Sequence, residues 1–459
     1  MPFVMGIDSS TQATKVEVRD AETGARVGTG RAPHAMTSPP CSEQFPEDWW
    51  DALVAARRIA ERDHRADAVS VAAQQHGMVV VDANGSVIRP AKLWNDTESA
   101  PDAGWLRSQL EGGAAAWAAA CGSVPLAAFT ITKLSWLHRS EPEAFGRIAR
   151  VGLPHDWLAW RLTGEWTTDR GDASGTGYWS PAENRWRTDL LDIVDGDTDW
   201  AAALPTVQDA VAALGTGDNM AAALGLGLRP GDVAISLGTS GTVFAVSDAP
   251  TSDPSGAVAG FADASGRFLP LVCTLNATRV TNAVARLLGV DLRHLDALAA
   301  EGPPGAGGVT VLPYFDGERT PDRPDATGII SGLRADVSRE QLARAAFEGV
   351  VCGLLDGLDA LRATGVAVDR GRLFLIGGGA QSLVYHQVVA DLAQRAVTVP
   401  DETELVALGA AVQASARLQD QSIAAVQTAW DVGWGRAVEP RIDETAAATV
   451  RAAYGSVRG

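Results

Sequence analysis

The sequence predicts an α/β protein of two domains built on one plan, with a ligand-binding cleft between them. Three observations support this: a length of 459 residues, a strand–turn–strand pattern that occurs twice about half a chain apart, and a glycine cluster between a buried strand and a helix. A chain of this length is too long for one ordinary domain. We expect the domains to span residues 1–222 and 223–459.

The repeated pattern is a β-hairpin whose turn consists of small hydroxylated residues and glycine. Near the start, residues 9–14 follow a strand over 3–8, and near the middle, residues 238–242 follow a strand over 232–237. Gly, Ser and Thr allow successive backbone N–H groups to point into one concavity, which binds anions. We expect the two turns to bind nucleotide phosphates, mainly through Thr11, Gly238, Thr239 and Ser240.

A glycine cluster late in the chain predicts a further part of a nucleotide site. Residues 373–376 form a short apolar run, and residues 377–382 lead from it into a helical pattern over about 383–394. A strand, a glycine turn and a helix N-terminus together favour a phosphate or a flat ligand. The expected contacts are Gly378, Gly379 and Ser382. The alternative is a simple turn that needs left-handed glycines.

The scarcity of lysine excludes one common nucleotide site. The only lysines are Lys15, Lys92 and Lys133, and none follows a glycine-rich turn, which excludes a P-loop. ATP bound without that lysine depends more on a metal ion. Asp8 closes the first strand beside the first phosphate turn, and we expect it to bind Mg²⁺ through water. The alternative is a local Asx-turn hydrogen bond.

Four polar segments in the first half of the chain follow strand-like runs or precede helices, where α/β proteins bind ligands. They are residues 73–77, 93–96, 154–157 and 215–219. A sugar needs paired polar partners and an aromatic face, and these segments supply His76, Trp94, Asn95, Asp96 and Asn219. The structural alternatives are a buried histidine for His76, core packing for Trp94 and helix capping for Asn95 and Asp96.

Asp218 is the candidate base. Phosphorylation of a hydroxyl group needs a residue that accepts its proton. Gly215 and Gly217 leave the backbone bare just before this acid, at the expected domain junction over 214–230, so its carboxylate would face the cleft. Asp218 and Asn219 could instead cap the helix that follows them.

Composition narrows the class of protein and its partners. The chain is 46% hydrophobic and 20% charged, with a net charge of −18 spread along its length. Such a surface repels nucleic acid and anionic membrane, and no apolar run is long enough to span a bilayer. The four cysteines show no metal-ligand spacing, which favours reduced thiols. We therefore expect a cytoplasmic protein without nucleic-acid or membrane partners.

Taken in order, these motifs resemble those of the FGGY family of carbohydrate kinases, over nearly the whole chain. The segments that carry the resemblance are residues 6–11, 236–241, 328–333, 341–348 and 377–380. The resemblance implies two ribonuclease H-like domains of the actin, Hsp70 and hexokinase type. It also implies that ATP and Mg²⁺ bind in the cleft between the domains and that the enzyme transfers phosphate to a sugar.

Within the family, further motifs are similar to those of members that convert D-xylulose to D-xylulose 5-phosphate. The resemblance implies that Gln75, His76, Asp218 and Asn219 hold the ketose and that Asp218 is the base. Gln75 is a departure, because such members often have Met there. A kinase of ribulose, glycerol or gluconate therefore stays open, as does a non-catalytic sugar-sensing nucleotide switch. A homodimer is expected from the resemblance alone.

Overall fold

The computed structural model describes residues 1–459, which form two compact α/β units. The first unit comprises residues 1–228, 248–269 and 404–433, and the second comprises residues 229–247, 270–403 and 434–459. The predicted two-domain α/β class is confirmed. The predicted division at residues 222/223 treats each domain as one stretch of chain, whereas each unit here is assembled from three stretches.

The sheet of the first unit has five strands. In order across the sheet they are Gly215–Gly217, Ala68–Ala73, Phe3–Ser9, Ala13–Asp20 and Arg26–Pro33. The first three strands are parallel, and each of the last two is antiparallel to the strand before it. Ser9 and Gly217 both pair with Ala73. The three parallel strands therefore end at one edge of the sheet, and the segments that follow them start side by side.

Two helices cover this sheet. Helix Pro46–Ala60 packs on strands 13–20 and 26–33, where Trp49 and Leu53 are fully buried. Helix Leu405–Leu418 packs on strands 3–9 and 68–73. This second contact brings backbones together, because a Cβ on Gly6 would lie 1.9 Å from the carbonyl oxygen of Ala407.

The other elements of the first unit are short and irregular, and tryptophans are frequent among them. The helices are Ala100–Gln109, Gly113–Cys121, Thr130–Ser140, Pro142–Phe145, Pro154–Thr163, Arg170–Ala173, Thr188–Leu191, Trp200–Ala203, Asp218–Gly225 and Ile423–Ala429. The short strands are Glu43–Gln44, Val79–Val81, Ala91–Lys92, Arg150–Gly152, Thr167–Asp169, Trp179–Ser180, Arg185–Trp186, Thr206–Gln208 and Ala259–Ala262.

The second unit repeats the plan of the first, with a hairpin beside parallel strands. Its sheet strands, in order, are Phe268–Thr274, Gly241–Ala245, Val233–Leu237, Leu373–Ile376, Val397–Pro400 and Gly435–Val438. Strands 233–237, 373–376 and 397–400 are parallel to one another. Ser236 pairs with Ile376, so the turn at Gly238 and the glycines from Gly377 follow neighbouring strand ends.

The second unit contains five α-helices. They are Thr278–Leu288, Leu292–Glu301, Arg339–Ala363, Leu383–Ala393 and Glu444–Arg458, with a further two-stranded ribbon of Thr310–Leu312 and Ile329–Ser331. The longest helix begins with a capping box, in which Ser338 and Gln341 each bond the other's backbone N–H. None of the helices in the protein combines the length and apolar character that a membrane span requires.

Candidate active site

Three chain segments leave the same edge of the first sheet. They are residues 10–11, 74–76 and 218–219, each directly after one of the parallel strands. The fold thereby groups residues that lie in separate sequence motifs, namely Thr11, Gln75, His76, Asp218 and Asn219. This is the carboxyl edge of the parallel strands, where α/β sheets bind ligands.

Asp218 is partly exposed at the start of helix Asp218–Gly225. Its Oδ1 atom accepts hydrogen bonds from the backbone N–H of Asn219 at 2.8 Å and from Asn219 Nδ2 at 2.9 Å. Burial, followed by the negative charge of Asp8, raises the pKa of Asp218 to about 7. A carboxylate with such a pKa is suited to accept a proton at neutral pH.

Gln75 joins this pair from the neighbouring strand. Asn219 Nδ2 donates to Gln75 Oε1 at 2.9 Å. The Gln75 side chain lies directly against the backbone of Gly217, where a Cβ would be 2.7 Å from Gln75 Cγ. Glycine at position 217 is therefore required by a close approach. Gln75 Nε2 is buried and has no hydrogen-bond partner.

His76 is held in an unusual backbone conformation, with a φ of 67°. Its Nδ1 atom lies 2.6 Å from the carbonyl oxygen of Gly175, and its ring packs against Phe129 and Phe261 with centroid distances of 5.1 and 5.5 Å. Thr130 Oγ1 donates to the His76 carbonyl oxygen at 3.1 Å. Left-handed backbone at a bulky residue costs free energy and is concentrated at functional sites.

Trp94 and Thr11 come together beside Gln74. Trp94 Nε1 donates to Thr11 Oγ1 at 2.9 Å, and Thr11 Oγ1 donates to Gln74 Oε1 at 3.1 Å. Trp94 is only partly buried, so its ring is not a core side chain. This contact links the predicted aromatic residue to the first phosphate turn.

Asp96 lies in a different environment from the other predicted sugar ligands. Its side chain is fully buried, and its oxygens accept hydrogen bonds from the backbone N–H groups of Ser42 and Glu98 and from Lys92 Nζ. Glu43 also pairs with Lys92, at 2.9 Å. Both Asp96 oxygens are engaged in this ion-pair group, and none of their partners is another predicted sugar ligand.

Asp8 is the second acid at the sheet edge. Its Oδ2 atom lies 3.5 Å from Lys15 Nζ, which also pairs with Glu404 at 2.7 Å. Burial raises the pKa of Asp8 to about 6, and Lys15 opposes this shift. Asp8 Oδ1 is buried and accepts no hydrogen bond, so one oxygen of this carboxylate lacks a partner within the protein.

The structure brings together a group of buried acids, of which only Asp156 lies in one of the polar segments marked from the sequence. Asp156, Asp169 and Asp172 are all almost fully buried, beside His155. Asp156 Oδ2 accepts from the backbone N–H of Leu153 at 2.8 Å, which is a helix-capping contact. Asp156 lies in the polar segment 154–157, whereas Asp169 and Asp172 lie in a separate stretch of the chain, and only the fold brings them together. Phe261 was also missed, since nothing near it in sequence marks a site.

The two glycine motifs of the second unit meet at the start of helix Thr278–Leu288. The backbone N–H and Oγ1 of Thr278 donate to the Gly238 carbonyl oxygen at 3.0 and 2.8 Å. A Cβ on Gly379 would lie 2.8 Å from Thr278 Cγ2, whereas one on Gly378 would meet nothing within 4 Å. Ser382 caps helix Leu383–Ala393, and its Oγ donates a hydrogen bond to Asp296 Oδ1 at 3.0 Å. The turn at residues 238–240 remains partly exposed.

A cavity of about 390 Å³ lies on the outer face of helix Thr278–Leu288. Its lining residues are Arg279, Asn282, Ala283, Arg286, Phe315, Asp316, Gly328 and Ile330. Arg279 Nη1 pairs with Asp316 Oδ2 at 3.2 Å. The sequence gives no sign that the outer face of this helix lines a cavity.

Two family models together cover most of the chain. The N-terminal domain of the FGGY family of carbohydrate kinases matches residues 3–246, and the C-terminal domain matches residues 233–418. The chain belongs to the FGGY family of carbohydrate kinases. The predicted resemblance to this family is therefore confirmed, as is the prediction of a carbohydrate kinase.

Individual relatives in the FGGY family align over nearly their full length. A xylulose kinase of Streptomyces rubiginosus is 48% identical over 458 residues, covering 95% of this chain and 92% of the relative. One from Streptomyces coelicolor is 47% identical over 451 residues, with the same coverage. Among solved structures, xylulose kinase from Bifidobacterium adolescentis shares 39% identity with a TM-score of 0.86, covering 100% of this chain and 99% of that one.

Proposed function

We propose that this FGGY carbohydrate kinase transfers the γ-phosphoryl group of ATP to D-xylulose and releases ADP and D-xylulose 5-phosphate. The choice of sugar is supported by the xylulose kinases that are 47–48% identical to this chain. The observation that carries the mechanism is the placement of Asp218. Its carboxylate, with a pKa near neutrality, stands at the sheet edge beside Asn219 and Gln75.

Asp218 acts as the general base in this proposal. Its carboxylate accepts the proton of the attacking sugar hydroxyl, whose oxygen forms the new bond to phosphorus while the bond from phosphorus to the ADP oxygen breaks. Asn219 fixes the Oδ1 atom of Asp218 through two hydrogen bonds, which leaves Oδ2 outside these contacts. Gln75, His76 and Trp94 are proposed to orient the sugar.

The protein offers a suitable group for Mg²⁺. Asp8 Oδ1 is buried without a partner, and Mg²⁺ binds carboxylate oxygen while keeping much of its hydration. We propose that Asp8 holds the ion, which when bound stabilises negative charge on the phosphoryl group. Thr11, in the turn beside Asp8, is proposed to bind phosphate.

For ATP, we propose that the second unit supplies Gly238, Thr239, Ser240, Gly378, Gly379 and Ser382. The cavity along helix Thr278–Leu288 supports an extension of this site toward the nucleoside, because it borders Arg279 at the start of the helix. Partly exposed glycine-rich turns beside a helix N-terminus favour phosphate.

The test is an ADP-release assay with MgATP and a panel of acceptors: D-xylulose, D-ribulose, L-ribulose, glycerol, gluconate and no sugar. We expect strong stimulation by D-xylulose. The Asp218→Asn variant should lose sugar phosphorylation by about a thousandfold or more while binding ATP normally. Stimulation by another acceptor would change the assigned substrate but not the proposed mechanism, and Gln75 would then be the first residue to substitute. ATP binding without any stimulation would favour the sugar-sensing nucleotide switch.

A further inference from the structure

The first phosphate turn is held at Thr11 by side chains from three other parts of the chain. In the structure this turn comprises residues 10–12. Thr11 Oγ1 accepts a hydrogen bond from Trp94 Nε1 at 2.9 Å and donates one to Gln74 Oε1 at 3.1 Å. The Thr11 carbonyl oxygen accepts from Gln44 Nε2 at 3.0 Å. All three partners are distant in sequence, so the position of the turn depends on tertiary contacts.

The Thr11 hydroxyl group is already engaged within the protein. A hydroxyl group carries one hydrogen, and an indole N–H can only donate. Since Trp94 donates to Thr11 Oγ1, the hydroxyl hydrogen is the one directed to Gln74. The backbone N–H groups of Thr11 and Gln12, in contrast, donate to no group of the protein. Successive backbone N–H groups in a turn are donors that bind phosphate, so these two are the donors that the turn can offer a ligand.

Two of the three partners of Thr11 are buried and the third is not. Gln44 and Gln74 are almost fully buried. Gln44 Oε1 accepts from Trp49 Nε1 at 2.8 Å, and the backbone N–H of Gln74 donates to the Ser9 carbonyl oxygen at 3.1 Å. Trp94 is only partly buried. It is therefore the partner of Thr11 that a bound sugar could contact at the same time.

We propose that Trp94 is a positioning residue for phosphoryl transfer, whose indole N–H holds Thr11 so that the backbone N–H groups of the turn bind the phosphate. The Thr11 hydroxyl group then anchors the turn and does not itself donate to the phosphate. Because the same indole is proposed to orient the sugar, one side chain links the sugar to the phosphate turn. This inference rests on the proposed function, because it takes residues 10–12 as part of the phosphate site.

The test is a double-mutant cycle of Trp94→Phe with Thr11→Val, read as kcat and KM for D-xylulose and MgATP. Phenylalanine keeps an aromatic ring for the sugar but lacks the N–H donor. Trp94→Phe should lower kcat about tenfold, because a small displacement of the turn misplaces the reacting phosphoryl group, and KM for D-xylulose should stay within about twofold of wild type. In the Thr11→Val background the same substitution should cost no more than about twofold in kcat, because the contact is already absent.

Two further variants separate positioning from stability. Thr11→Ser keeps a hydroxyl group that accepts from the Trp94 indole, so its kcat should stay within about threefold of wild type. Trp186→Phe is the matched control, because it removes another partly buried indole, whose Nε1 donates to the Pro205 carbonyl oxygen at 3.1 Å. It should lower the Tm without lowering kcat. If Trp94→Phe yields no folded protein, Trp94→Leu, which also lacks the donor, replaces it in both backgrounds.

Equal losses of kcat for Trp94→Phe in the two backgrounds would overturn this inference alone, since the indole would then act independently of Thr11. A Trp94→Phe enzyme with wild-type kcat would overturn it as well, and a raised KM for D-xylulose would then assign Trp94 to the sugar only. A wild-type protein that phosphorylates no sugar would overturn the proposed function, and the positioning role with it.

Discussion

Asn219 Nδ2 donates a hydrogen bond to Gln75 Oε1 at 2.9 Å, although 144 residues separate the two in the chain. The contact exists because strands 68–73 and 215–217 are adjacent and parallel. It connects the predicted base with a residue at which this chain departs from the motif of D-xylulose kinases. The base and the sugar contacts are therefore expected to respond together to substitutions at this edge.

The proposed base sets the pH dependence of the reaction. Asp218 accepts a proton only when ionised, and its pKa is raised to about 7, first by burial and then by Asp8. We expect log kcat/KM for the sugar to rise with pH up to about 7 and to level off above it. Asn219→Ala should move the bend in this pH profile to higher pH, because the hydrogen bond from the Asn219 side chain favours the ionised form of Asp218.

Thermal unfolding of the ligand-free enzyme tests the raised pKa of Asp218 independently of catalysis. The folded state binds this proton more tightly than the unfolded chain, so the contribution of Asp218 to stability is present at low pH and is lost as pH rises through about 7. Asp218→Asn should therefore melt above wild type at pH 8, with a difference that shrinks toward pH 4. A constant difference would show that the carboxylate is not responsible.

Gly217→Ala should displace Gln75. The new Cβ would lie 2.7 Å from Gln75 Cγ and 2.8 Å from Cδ, closer than side-chain atoms approach each other, so the amide must move away from Asn219. We expect kcat/KM for the sugar to fall at least about tenfold, with KM for ATP unchanged. Gly146→Ala is the control, since its Cβ would meet only Pro142 O at 3.5 Å. A Gly217→Ala enzyme with wild-type sugar kinetics would show that the site tolerates movement of Gln75.

The sequence predicts the sheet edge well, for a physical reason. An apolar run that ends in polar or glycine residues marks a strand end, and the predicted strands at 3–8, 232–237 and 373–376 match the observed ones within a residue. Parallel strands end together, so residues after those ends become neighbours.

Some contacts form only because later segments of the chain fold back into the first unit, and the sequence alone could not predict them. Helix 405–418 belongs to the first unit, but its apolar pattern does not identify the sheet that it covers. The same holds for Phe261 beside His76 and for Asp172.

The cavity along helix 278–288 is expected to bind part of the nucleotide. Ala283 lines it, and Ala283→Leu adds a larger side chain to that wall. We expect KM for ATP to rise at least about tenfold, equivalent to about 1.4 kcal/mol, while KM for the sugar stays unchanged. Ala300→Leu adds the same side chain at an exposed helical position and should have no effect. An unchanged KM for ATP in Ala283→Leu would remove the cavity from the nucleotide site.

Asp8→Asn tests the proposed metal ligand. The substitution keeps the shape of the side chain but removes the charge that attracts Mg²⁺. The Mg²⁺ concentration for half-maximal activity should rise at least about tenfold. Without ligands, the variant should melt above wild type at pH 8, because burial raises the pKa of Asp8 to about 6 and disfavours the carboxylate there. If the carboxylate served only a local turn, the Mg²⁺ dependence would be unchanged.

Gly409→Ala tests the packing of helix 405–418 in the first unit. A Cβ on Gly409 would lie 1.8 Å from the carbonyl oxygen of Ala221, and one on Gly225 would lie 2.2 Å from that of Leu405. The two helices thus touch through their backbones, and an added methyl group must separate them.

We expect Gly409→Ala to reduce the free energy of unfolding by about 2 kcal/mol or more, because strain from overpacking exceeds the gain of up to about 1 kcal/mol from better helix propensity. This should lower the Tm by roughly 5 °C. Gly104→Ala is the matched control in helix Ala100–Gln109, since its Cβ would meet nothing within 4 Å, and its Tm should stay equal or rise. Equal melting of the two variants would mean that the helices separate without cost, so that close backbone packing does not stabilise this unit.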